Sequence, residues 1–300
     1  MNRQKALKCI VAQANQGDLV FPANVAASLK LQQTIDDPDC SVDTAAKLVL
    51  NEPLLAAKVV AIANSAAYNR GSDVTNVKAA ISRLGFRTLR AIVSSLVIKQ
   101  LAGTSKNPDI QLMTNRLWQH TAEVAALSQV IARRVTRLDP DTALFAGIVH
   151  EVGNFYLFSR AEEFPALLQP DELAHLHDIS DDTQASDDLP DFEDTLVDLE
   201  SSEAIIGRAV AARLFLPAQV SEALDGMWYG LRAMPPETLA DTLLLANELA
   251  VHKSPLDYNS YSESERFTSE IDFTVGDGTL ASILEESDEE LKTLTSALLV

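Results

Sequence analysis

The chain has only two cysteines, Cys9 and Cys40, among its 300 residues. Two thiols without ligand spacing exclude a disulfide framework and a cysteine-based zinc site, and they suit a reduced compartment. Glycine (11) and proline (12) are scarce, and few β-branched runs lie between turn residues. A large sheet is therefore not expected, and the chain reads as mostly helical. No stretch approaches the ~18 consecutive apolar residues of a membrane span. The opening MNRQKALKCIVAQANQGD has neither the long apolar centre nor the small-residue cleavage site of a signal peptide. A cytoplasmic protein without a membrane partner is the expectation. Basic residues are also few: 24 Lys and Arg against 43 Asp and Glu give a net charge of −19, which argues against nucleic acid because a phosphate backbone needs a basic surface. No P-loop, G-x-S-x-G or G-x-G-x-x-G motif appears.

What is present is uneven in charge. Residues 1–137 hold 17 Lys and Arg against 9 Asp and Glu, net +8, whereas residues 138–300 hold 7 against 34, net −27. Such asymmetry lets the two parts attract each other or select partners of opposite sign, although an acidic loop and tail that only keep the chain soluble would look the same.

The organisation is read from periodicity and punctuation. Residues 1–110 form short helices: one capped by Ser41 or Asp43, one opened by Pro53 (EPLLAAKVVAIANSAAY), one capped by Thr75 and ended by Gly85, then the apolar FRTLRAIVSSLVIKQLA. Residues 111–136 carry a stripe at Leu117, His120, Val124, Leu127 and Ile131, spaced 3, 4, 3, 4, so His120 faces a core. After Asp139-Pro140, the small residues Ala143, Ala146 and Gly147 share a face with His150 and permit close approach of another helix. Residues 177–200, with nine acids from Asp178 to Asp198, read as a solvated loop inside a unit spanning 111–254. A linker follows over about 255–276, then an amphipathic end in which Ser287 and Glu290 could form a capping box.

Four phrases in this order, PDCSVDTAAKLVLNEPLLAAKVVAIANSAAY (38–68), AISRLGFRTLR (80–90), LWQH (117–120) and LFAGIVHEVGNFYL (144–157), give the chain a resemblance to the HD-related output domain, or HDOD, family of bacterial signalling proteins. The resemblance runs from about Asp18 to Leu249. It implies an all-α bundle: an HD-like core behind an N-terminal helical subdomain, related to metal-dependent HD and HD-GYP phosphohydrolases. Those relatives hold metal by a His, an adjacent His-Asp pair and a later Asp. The matching positions here are His120, His150, Glu151 and Asn247, so a carboxylate one methylene longer and a neutral amide stand where two Asp belong. Met227 and Trp228 occupy the place of a further His pair, Leu214 the place of a Trp, and Glu203 lies near another His position. A degenerate, empty metal site and no cofactor are expected, with a divalent ion as the alternative.

Other chemistry is thinner. His175 and His177 are two apart and fall on different sides of a helix. Asn154 stands where an H-E-x-x-H zinc motif needs its second His. Arg83, Arg87 and Arg90, with Lys78 or Lys99, make a candidate anion site; the alternative is that they fork onto helix-end carbonyls and neighbouring carboxylates. Asn64 and Ser65 are expected to fix a helix end. The functional expectation is a non-catalytic regulatory module working through contacts with other signalling proteins, with a homodimer as one option. The alternatives are a divergent metal-dependent phosphohydrolase and a nucleotide or anion sensor.

Overall fold

A computed structural model describes residues 2–103, 105–168, 201–228, 230, 233–256 and 271–300. The acidic stretch 177–200, His175, His177 and most of the expected linker lie outside these residues. Among the described residues the chain forms thirteen α-helices and one two-strand ribbon.

The first five helices are α1 (Arg3–Gln16), α2 (Ala23–Asp36), α3 (Val42–Leu50), α4 (Pro53–Asn64) and α5 (Val77–Leu101). The Ser41 hydroxyl caps α3 by accepting the Thr44 N–H, and Pro53 opens α4 where its missing N–H is harmless. Thr75 is not the cap of α5. Asn76 is, because its short amide reaches the Ala79 N–H at 2.8 Å. Gly85 sits at φ 77° and breaks α5 into two helical pieces, a conformation that a side chain would strain. Asn64 and Ser65 close α4: the Ser65 hydroxyl donates to the Ile62 carbonyl, and the Asn64 amide exchanges two hydrogen bonds with the Val74 backbone.

The remaining helices are α6 (Pro108–Ile131), α7 (Pro140–Val149), α8 (Val152–Ser159), α9 (Ser202–Arg213), α10 (Ala218–Trp228), α11 (Leu239–Leu249), α12 (Leu280–Glu286) and α13 (Asp288–Leu299). A π-helical turn, Ala132–Thr136, ends α6, and the ribbon pairs β1 (Thr274–Val275) with β2 (Gly278–Thr279) inside the stretch read from sequence as linker and tail. The helix break at Ser287 is present, but its capping box is not. The Ser287 hydroxyl donates back to the Ile283 carbonyl, and the box forms instead between Thr279 and Ser282 at the start of α12.

Helix α6 is the buried spine, and its contact with α7 is close because Gly147 has no side chain. A Cβ there would stand 2.5 Å from the Ala125 Cα. Two further close contacts stack beside it. Gly153 of α8 lies on the Gly207 backbone of α9, and the Trp228 ring of α10 covers the other side of Gly207. One buried apolar cluster runs from Ala6 in α1 to Leu298 in α13, and a smaller one joins Val124, Leu127 and Ile131 of α6 to α11 and α12.

Candidate metal centre

The close α6–α7 contact is what brings the two histidines together. His120 lies on the buried face of α6, His150 follows the last residue of α7, and Glu151 occupies the turn before α8. Their ring nitrogens Nε2 are 3.2 Å apart. Glu151 Oε1 is 3.5 Å from His120 Nε2 and 3.9 Å from His150 Nε2. Side-chain exposures of 0, 1 and 9% for His120, His150 and Glu151 place all three donors beneath the surface.

Backbone carbonyls set the state of the rings. His120 Nδ1 lies 2.8 Å from the His252 carbonyl and His150 Nδ1 2.7 Å from the Gly147 carbonyl. A carbonyl can only accept, so both Nδ1 atoms carry a hydrogen and both Nε2 atoms face inward, toward each other. Burial, followed by the influence of His120, pushes the His150 imidazole down to about 3, against a smaller upward pull from the Gly147 hydrogen bond. His150 is thus a neutral donor at ordinary pH.

This arrangement fits a divalent ion at three positions. Ligand atoms about 2.05 Å from a tetrahedral ion stand about 3.3 Å from each other, close to the separations here, and two His with one Glu form a recognised zinc set. The outer contacts are also those of a metal site, since each ring is oriented by a carbonyl and the Asn154 amide donates to Glu151 Oε2 at 2.5 Å.

Glu123 was not legible as part of this site. One turn along α6 from His120, its carboxylate accepts the N–H groups of Val251 (2.9 Å) and His252 (3.0 Å) and pairs with His252 Nδ1 at 3.0 Å. It thereby fixes the turn whose carbonyl orients His120. The partners are more than 120 residues apart in sequence, and no local pattern joins them.

The other family positions have moved to different tasks. Asn247, half-buried on α11, has no side-chain hydrogen bond among the described residues, and its carbonyl accepts from Lys253. Glu203 pairs with Arg3 at 3.2 Å. Leu214 is buried, Trp228 lies on Gly207, and Met227 packs against the core, so apolar bulk fills this side.

The arginine arc does not converge on one point. Arg83 donates to the Ala63 and Ser72 carbonyls, Arg87 pairs with Asp139, and Arg90 pairs with Asp36 at 2.5 Å. Arg87 and Arg90 do line a cleft of about 260 Å³, but Asp139 and Asp141 line it too, so its charge is balanced. Lys78 pairs with Asp43.

Comparison with known proteins agrees with this picture of the fold. The HDOD domain model matches residues 21–224. The structure of a "Putative metal-dependent phosphohydrolase" from Shewanella amazonensis SB2B superposes with a TM-score of 0.65 at 18% identity, covering 99% of each chain. An HDOD domain protein with unknown function from Geobacter sulfurreducens gives 0.58 at 24% identity over 99% of each chain. A "Putative signal transduction protein" from Marinobacter aquaeolei VT8 gives 0.53 at 16% identity, covering 99% of this chain and 64% of that one. No curated protein matches. At these identities the structural likeness speaks for the fold alone. The matched family model spans more than half of the sequence, and the chain belongs to the HDOD domain family.

Proposed function

We propose that this protein is a non-catalytic signal-transduction module of bacterial type, working through contacts with other signalling proteins, in which the His120–His150–Glu151 centre organises the core and does not turn over substrate. The burial of the donors carries this reading. Hydrolysis at a metal needs open positions for water and a phosphoryl group, whereas these three side chains are 0, 1 and 9% exposed. The neighbouring family positions support it, because Glu203 pairs with Arg3 and Trp228 packs on Gly207. Balanced pairing of Arg87 and Arg90 likewise favours a structural role for the arginines over anion sensing.

A second reading, a metal-dependent phosphohydrolase, is favoured by one observation: the fit of the three donors to a single ion. An ion held by His120 Nε2, His150 Nε2 and Glu151 Oε1 would supply Lewis acidity toward a phosphoryl oxygen. Metal analysis of chelator-free protein, run beside phosphate-ester hydrolysis, separates the two. Stoichiometric metal without turnover is compatible with the proposal. Turnover that disappears in a His120→Ala, His150→Ala double variant is not.

A further inference from the structure

Helix α13 occupies a seat on α4 and α6 whose chemistry matches its own. Its first turn carries Asp288, Glu289 and Glu290, and Leu291, Leu294 and Leu298 face inward at helical spacing. At one end of the seat Arg133 pairs with Glu290, while Arg134 reaches Glu286 at 2.5 Å and the Ser287 hydroxyl at 3.1 Å. Along the middle the Ala66 N–H donates to the Thr293 hydroxyl. At the other end the Lys58 ammonium donates to the Leu298 carbonyl at 2.7 Å, in the helix's last turn, where the backbone carries partial negative charge.

Lys58 makes this seat unusual. It is 6% exposed, and no carboxylate lies within ion-pair distance of it among the described residues. One carbonyl and the face of Trp118, 5.1 Å away, replace its water. That is a poor exchange for an ammonium ion, and it is made only while the last turn of α13 covers the site. The two arginines attract an acidic helix, whereas the burial of the lysine opposes the seating of its last turn.

We propose that the α4–α6 seat is a docking surface for an acidic amphipathic helix of a partner protein, and that α13 is the chain's own releasable occupant. This rests on the reading of the protein as a module acting through protein contacts, and it names the contact. The partner helix carries acids in its first turn, leucine-like residues at 3- and 4-residue spacing, and an uncapped carbonyl end for Lys58.

The probe is a labelled peptide copying residues 279–299, titrated against full-length protein. In a Leu294→Glu, Leu298→Glu variant, which unseats α13, the peptide is expected to bind saturably and roughly tenfold or more tighter than to wild type, weakening with salt and in an Arg133→Ala, Arg134→Ala background. Hydrogen exchange needs no unseated variant: α13 amides in wild type should exchange roughly 100-fold faster than those of α6, and Lys58→Met should slow them by about tenfold. The proposal is overturned by a folded variant that does not bind the peptide, by equal exchange in α13 and α6, by faster exchange in Lys58→Met, or by a dimer formed through swapped α13 helices. Hydrolytic activity would sink the functional reading and leave the peptide result standing, so the two failures are distinguishable.

Discussion

At the residue scale the centre is defined by two Nδ1–H groups committed to carbonyls and two Nε2 atoms turned toward each other at 3.2 Å, within hydrogen-bond distance. The α6–α7 packing and the 251–252 turn hold both rings in place. Glu123 is the residue on which that turn depends, since it accepts two backbone N–H groups and the His252 ring. Replacing it by Ala removes these bonds, and because Val251 and His252 are exposed, water takes up the freed N–H groups. Glu123→Ala is therefore expected to lose about 0.5–1.5 kcal/mol of stability in denaturant titration and to broaden the His120 Nδ1–H proton resonance, with Glu123→Gln intermediate. Wild-type stability together with an unchanged resonance would show that the turn is held by something else. The histidines were readable from the 3, 4, 3, 4 stripe and the His-Glu pair. Glu123 was not, because it acts through a turn distant in sequence.

At the scale of elements, two contacts carry the fold around the site. Gly147 lets α7 lie against Ala125, where a Cβ would be 2.5 Å from backbone that cannot swing away. Gly147→Ala should destabilise the protein by about 1–3 kcal/mol and shift the His120 and His150 ring resonances, a cost set by overpacking. An unchanged melting temperature would mean that the helices are less tightly joined than described. The seating of α13 gives a pH signature. Burial, with the charge of Lys99 a lesser cause, lowers the Lys58 amine from 10.5 to about 7. Between these values the unfolded chain holds a proton that the folded chain has released, so stability rises with pH from about 7 upward. Chemical denaturation should show a gain of about 1–2 kcal/mol between pH 7 and 9 that is absent in Lys58→Met. An identical pH profile in the two proteins would contradict a Lys58 amine held below its ordinary range by burial. Helix ends were legible where proline or glycine set the geometry, as at Pro53, Asp139-Pro140 and Gly85. They were misread where two adjacent residues could both cap, as at Thr75 and Asn76, or where a hydroxyl had a competing carbonyl, as at Ser287.

For the whole molecule, the opposed charges of the two parts of the sequence meet in the structure. Arg133 and Arg134 from the basic part hold Glu290 and Glu286 from the acidic part, and Arg3 holds Glu203. Both readings of the asymmetry were open in the sequence, because charge counts do not say which surfaces touch. The helical fold was legible from periodicity and from the order of the four phrases. Whether the centre is sealed was not, because accessibility depends on how separate helices close over it. Family ligand positions alone made the site look short of donors, whereas the geometry brings three of them within reach of one ion and buries them. Hydrolysis is the measurement that bears on this most directly, followed as phosphate release from a generic phosphomonoester and as ring opening of a cyclic dinucleotide to its linear form, in the presence of Mn²⁺, Mg²⁺ or Zn²⁺. The expected result is no turnover above that of the His120→Ala, His150→Ala variant with any metal. Turnover that needs both histidines and stops on chelation would contradict the account.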